Sequence, residues 1–251
     1  MQTPETSEYE SLSTAAHVWH VSPDALPLSD LQRPVLSWMT TEERARHERF
    51  RTDQLRHVNL ITRWLCRSTL SKYTGVDPKD WTFSANPNGK PAIAGPVGFT
   101  DLRFNLTHTK GLVACIVSRA GEVGVDFEEM SRTADFDGIT ANFFSAAEHA
   151  TLQSLPAERR AARFFDYWVV KESYLKGRGV GFSEPAEGFT VHWDGNGQPL
   201  PLGEWQLSLQ RPTSQHVGAT AIRPKAGDSQ IPIIWRAVET SRTSTSSLHF
   251  Q

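Results

Sequence analysis

The chain has 251 residues, of which 38% are hydrophobic and 22% charged, with a formal net charge of −2. That length holds one large domain or two small ones, and eight tryptophans and thirteen phenylalanines can fill a sizeable core. Near-neutrality argues against a general nucleic-acid binder, which is usually strongly basic, and leaves room for local basic patches; no run approaches the roughly 18–20 apolar residues of a membrane span.

Residues 1–15 are polar and acidic, without an early positive charge or an apolar stretch, so they read as a flexible N-terminus and not as a signal peptide. The first strand is HVWHV, 17–21. Thr40 followed by Glu43 is a capping box that opens a helix. A longer helix over about 53–74 carries Leu55, Val58, Ile61, Leu65 and Leu70 on one face, and Gly75 stops it. WTF, 81–83, runs into the turn NPNGKP, 86–91. LRFNLTHT and GLVACIVSR read as two strands with a short polar connection, and EVGVDFEE, 122–129, as the next.

Ser145 with Glu148 forms a second capping box. Pro156 opens a long helix over about 156–176, and Gly177 is the expected stop. GFTVHW, WQLSLQ, VGATAIR and PIIWRAV follow as short alternating segments, and 241–251 as a disordered tail. The rhythm of helices followed by short strands predicts an α+β chain with two halves, 16–118 and 119–240. Cys66 and Cys115 sit in apolar runs without disulfide or CxxC spacing. They read as buried free thiols of a cytoplasmic protein.

Four short stretches carry groups with possible chemistry. In GVDFE, 124–128, Asp126 and Glu128 share one strand face, with Cα atoms about 6–7 Å apart, and Val123, Val125 and Phe127 take the other. Side chains at that spacing can converge on one hard cation, although alternation alone describes a half-exposed strand with its polar side outward. Glu172 and Lys176 stand at i and i+4, which by itself is the ordinary orientation of a surface ion pair. Trp168 and Tyr174 make this helix unusually aromatic for a solvated one, and GRGVG after it permits tight turning or close approach. Lys90 projects from a Gly/Pro turn, and Thr107 and His108 lie at a strand end. Ammonium, hydroxyl and imidazole groups all donate well to phosphate, although polar loop residues are also simply solvated.

NGKP, FNLTHT, GVDFE and WVVKESYLKGRGVG, in this order and spacing, resemble the Sfp-type 4′-phosphopantetheinyl transferases over roughly residues 40–185. The resemblance implies two similar α+β halves in a pseudo-twofold chain, with the active site in the cleft between them. It also implies a monomer, since single-half relatives assemble as trimers. The implied reaction moves 4′-phosphopantetheine from coenzyme A to a serine of an apo acyl or peptidyl carrier protein with Mg²⁺, releasing adenosine 3′,5′-bisphosphate. Neither nucleic acid nor membrane is an implied partner.

By motif position, Asp126, Glu128 and Glu172 would be metal ligands. Lys176 would lie against the phosphates, and Asp126, Glu172 and Lys176 would carry catalysis. Lys90, Thr107, His108 and Arg46 would hold the coenzyme A phosphates and adenosine end. Thr107 replaces the family's usual serine and keeps the hydroxyl. Phe127 replaces an isoleucine, and Glu43 stands where some members carry a second lysine. The arginines of RARHERFR and ERRAAR could steer an acidic carrier, or could be solvated helix faces. Two other readings are a Mg²⁺-dependent pyrophosphatase, for which no Gly-x5-Glu-x7-Arg-Glu box is present, and a non-catalytic carrier-binding protein, against which the intact Asp126, Glu128, Glu172 and Lys176 set argues.

Overall fold

A computed structural model describes residues 6–131, 136–225 and 230–238, and the expected tail 241–251 lies outside them. The chain is α+β and separates into two units. The first takes the described parts of 1–84, 92–120 and 232–251, and the second takes 85–91 and 121–231.

The first unit opens with α1 (Thr6–Ser11), in a region expected to be flexible. Leu12 after it is fully buried, and the Arg119 guanidinium lies 4.2 Å over the Tyr9 ring while bonding Asp101 at 2.8 Å. These contacts hold the segment down. Then come β1 (Ala16–Val21), α2 (Leu28–Trp38) and α3 (Thr41–Glu48). No element is read from the sequence between 22 and 39; α2 forms there around Pro34, with Leu31 and Val35, one turn apart, both buried and anchoring it. Thr40 and Glu43 form the expected capping box of α3. The 22-residue α4 (Asp53–Thr74) ends at Gly75, which is left-handed at φ 72°.

The hairpin strands β2 (Thr82–Ala85) and β3 (Pro91–Gly95) are followed by β4 (Arg103–Thr109) and β5 (Leu112–Ser118). In the second unit, β6 (Gly121–Glu129) precedes α5 (Phe136–Phe143), α6 (Ala146–Ser154) and α7 (Ala157–Arg178). Then β7 (Gln206–Thr213) and β8 (His216–Pro224) complete a three-stranded antiparallel sheet in the order β6-β8-β7.

The last strand, β9 (Ile233–Ala237), departs from the expected division of the chain. It belongs to the first unit, where it pairs parallel with β1 at the edge of the sheet β4-β5-β1-β9. Parallel pairing between strands more than 200 residues apart leaves no local signal. In each unit one 22-residue helix, α4 or α7, packs on the sheet and carries much of the hydrophobic core. Among the described residues no helix is long and apolar enough to cross a membrane. Cys66 and Cys115 are both buried and free, and burial pushes the Cys66 thiol up to about 12, which leaves it inert.

A polar triad lies inside the first core. Nε1 of Trp19 donates to the Tyr73 hydroxyl at 2.9 Å, and that hydroxyl lies 2.5 Å from Nδ1 of His17. His17 is 1% exposed, and its Nε2 has no hydrogen-bond partner. Burial, with a smaller contribution from the Arg236 guanidinium, holds the imidazole down at about 4. The unfolded chain therefore binds a proton here between about pH 6.5 and 4 that the folded chain refuses. Stability from this group is complete above 6.5 and is lost as the pH falls towards 4, by up to about 3 kcal/mol. His17→Phe is expected to flatten that part of the acid-unfolding curve in urea titrations from pH 7 to 4. A variant as acid-sensitive as the parent would rule out His17 as the cause.

Candidate active site

Helix α7 forms because residues 157–176 contain neither glycine nor proline, and because Phe164, Phe165, Val169 and Val170 recur at helical spacing and bury. Pro156 sets its start. The expected stop at Gly177 is corrected, since the helix runs to Arg178 and Gly179 caps it at φ 68°. The N–H of Gly179 bonds the carbonyls of Leu175 and Lys176.

Gly177 is needed for space and not for turning. A Cβ there would stand 2.5 Å from the Trp205 ring. Opposite it, a Cβ on Gly124 of β6 would lie 2.0 Å from the Ser173 carbonyl oxygen and 2.7 Å from the Gly177 Cα. Strand and helix thus cross backbone to backbone at Gly124 and Gly177, closer than any side chain allows.

That crossing brings the charged groups together. Glu122, Gly124, Asp126 and Glu128 alternate onto one face of β6, and their partners across the ladder, Ala221, Ala219 and Val217 opposite the last three, belong to the second core together with Val169 and Val170 of α7. The polar face of β6 is therefore the side packed on α7, not the solvated side that alternation suggests. Val123, Val125 and Phe127 on the other face are also buried.

Lys176 reaches across to Asp126, with Nζ 2.5 Å from Oδ1, an ion pair that runs from helix to strand. Glu172 is pushed up to about 7, first by burial and then by the neighbouring Asp126 carboxylate; Glu128 adds to this and Lys176 opposes it. Three carboxylates and one ammonium thus share a half-buried crossing. The aromatic residues of α7 serve the core, with Trp168 on Phe143 (4.6 Å) and Tyr174 on Phe189 (4.8 Å).

Among the described residues no three His, Cys, Asp or Glu side chains form a ready metal cage. The donor chemistry still suits Mg²⁺. This ion is bound through one or two carboxylates, waters and substrate phosphates and not through an all-protein cage, and the Asp126, Glu128 and Glu172 carboxylates lie close enough to act on one another electrostatically.

The remaining expected residues are divided between the two units. Lys90 of the NPNGKP turn gives its ammonium to Glu122 (2.9 Å) and to the Gly177 carbonyl (2.5 Å). Arg46, Thr107 and His108 belong to the first unit. Arg46 is 63% exposed and pairs with Glu42 at 3.2 Å. Thr107 is buried and His108 exposed on β4, as strand alternation requires, so the two face opposite sides of the sheet. Glu43 accepts from Arg63 (2.6 Å) and from the buried Arg67 (2.9 Å), which also donates to the Trp81 carbonyl. Of the second arginine cluster, Arg160 donates to the Leu155 carbonyl and Arg163 stacks over Trp193 at 4.5 Å.

Sequence reasoning missed one pair. Lys171, beside Glu172 in the chain, is fully buried and bonds Glu148 at 2.7 Å and the Phe189 carbonyl at 2.7 Å. Glu148 also accepts from the backbone N–H groups of Ser145 and Val191. Glu148 was legible as a cap and Lys171 as part of a helix, but nothing local joins residues 23 apart.

A family model described as the 4′-phosphopantetheinyl transferase superfamily matches residues 122–223. A second, described as 4′-phosphopantetheinyl transferase, N-terminal, matches 27–120. The two meet where the chain passes from β5 to β6. The 4′-phosphopantetheinyl transferase HetI of Nostoc sp. is 32% identical over 235 residues, covering 92% of this chain and 96% of that one. The 4′-phosphopantetheinyl transferase Sfp of Bacillus subtilis is 29% identical over 181 residues, covering 71% and 74%. The 4′-phosphopantetheinyl transferase psf-1 of Bacillus pumilus is 34% identical over 161 residues, covering 64% and 66%. The chain belongs to the 4′-phosphopantetheinyl transferase superfamily and is, by that membership, a transferase enzyme.

Proposed function

We propose that the protein transfers the 4′-phosphopantetheine arm of coenzyme A to a serine hydroxyl of an apo acyl or peptidyl carrier protein and releases adenosine 3′,5′-bisphosphate. The observation that carries this reading is the crossing of β6 and α7, where the buried Asp126 gathers with the half-buried Glu128, Glu172 and Lys176.

Phosphoryl-type transfer of this kind needs positioning and charge neutralisation more than covalent chemistry. Asp126, Glu128 and Glu172 would hold Mg²⁺, which supplies charge neutralisation at the pyrophosphate. Lys176 stabilises the leaving phosphate oxygen and can give it a proton. Asp126 keeps the Lys176 ammonium aimed into the crossing at 2.5 Å. Glu172, set on α7 beside Asp126, accepts the serine proton directly or through a water that it orients.

Incubation with coenzyme A, Mg²⁺ and a panel of apo carrier proteins is expected to add one phosphopantetheine mass to at least one of them. Asp126→Ala, Glu172→Ala and Lys176→Ala are each expected to lower transfer by about 100-fold or more while the fold is kept. Near-wild-type turnover in all three folded variants would remove these residues from the mechanism. Consumption of coenzyme A without a modified carrier would favour a hydrolase instead.

A further inference from the structure

The turn before β3 seats itself on the end of α7. Within the turn, Oδ1 of Asn86 accepts from the backbone N–H of Asn88 (3.0 Å) and of Lys90 (2.8 Å), which fixes its shape. The amide nitrogens of Asn86 (2.7 Å) and Asn88 (3.2 Å) both donate to the Gly179 carbonyl. A Cβ on Gly179 would meet Asn86 Nδ2 and Lys90 Cδ, each at 2.9 Å, so the residue that ends α7 is also the floor on which the turn rests.

Lys90 makes the decisive link. Its ammonium donates to the Gly177 carbonyl in the last turn of α7 and to the Glu122 carboxylate on β6, and its side chain is only 15% exposed. A cation at a helix C-terminus is favourably placed against the helix dipole. Gly177 follows Lys176 directly, and Glu122 lies on the same face of β6 as Asp126, four residues earlier. One ammonium therefore joins the two elements whose crossing holds the charged groups.

We propose that Lys90 is a positioning residue: it couples β6 to the last turn of α7 and so fixes the reach of Lys176 to Asp126, in place of gripping the phosphates of coenzyme A. This rests on the transfer reaction proposed above. Removing the ammonium leaves the Gly177 carbonyl and the Glu122 carboxylate short of a shared donor, and the end of α7 loosens.

The test uses Lys90→Met, which keeps the stem, Glu122→Gln, and the double variant, in two measurements. In steady-state transfer, Lys90→Met is expected to lower kcat about tenfold or more with KM for coenzyme A within about threefold. The double variant is expected to be no worse than Lys90→Met, because both changes remove one link. A tenfold or greater rise in KM with kcat intact would overturn the proposal and make Lys90 a phosphate ligand. The second measurement needs no activity. Amide hydrogen exchange in the last turn of α7 is expected to speed up about tenfold or more in Lys90→Met, and unchanged exchange there overturns the proposal. If the parent protein modifies no carrier, the transfer reaction fails while the exchange measurement still decides the role of Lys90.

Discussion

Lys171→Met is expected to lower the unfolding free energy by about 3–5 kcal/mol. Lys171 and Glu148 are both fully buried and paired at 2.7 Å. Each completes its hydrogen bonds with backbone, Lys171 to Phe189 and Glu148 to Ser145 and Val191. Burial lowers the affinity of Lys171 for its proton, and the Glu148 carboxylate opposes this. The pair stands because each charge answers the other. Removing the ammonium leaves a carboxylate in the core with no counter-charge, and that desolvation is the main cost.

The discriminating experiment is the double variant. Lys171→Met with Glu148→Gln removes both charges and keeps an acceptor for the Val191 N–H. It is expected to recover at least about half of the loss in chemical denaturation, since a neutralised buried pair is often nearly as stable as the charged one. Losses that simply add would show that packing, and not the stranded charge, sets the effect.

Gly124→Ala is expected to be as damaging by a different route. Its methyl group would lie 2.0 Å from the Ser173 carbonyl oxygen and 2.7 Å from the Gly177 Cα. Both obstacles are backbone of α7 and cannot rotate away, so helix and strand must separate. Overpacking commonly costs about 1–3 kcal/mol, and here the immovable neighbours put the expected loss at or above the top of that range. Transfer is expected to fall even in molecules that stay folded, because a wider crossing pulls Lys176 away from Asp126. Gly177→Ala provides the contrast. Its Cβ meets the Trp205 ring at 2.5 Å, and a side chain can give way. Trp205→Phe should therefore relieve Gly177→Ala and leave Gly124→Ala unrelieved. Wild-type denaturation midpoints and turnover in Gly124→Ala would show that the close crossing is unnecessary.

The same contacts explain what reading the chain could and could not reach. Capping boxes at Thr40/Glu43 and Ser145/Glu148 were legible because they are complete within four residues. So were the long helices, through apolar periodicity, and the strand over 122–129, through alternation. Asp126 and Glu128 of GVDFE, and Glu172 and Lys176 of the KESYLK segment, were legible by type and spacing. Their arrangement was not: Asp126 and Lys176 are 50 positions apart, and i, i+4 spacing suggests Glu172 as the partner of Lys176, whereas the 2.5 Å contact is with Asp126.

By itself the sequence determined the α+β composition, the order of the main elements and the identity of the charged groups. These depend on local backbone preference and on residue chemistry. Only the tertiary structure decided that the polar face of β6 turns inward against α7, that Gly177 gives room while Gly179 ends the helix, and that β9 returns to pair with β1. It also decided that Lys90 bonds Glu122 and the Gly177 carbonyl, and Lys171 bonds Glu148. Each of these depends on which distant backbone comes near, and that proximity is set by packing the whole chain, not by any short stretch of it.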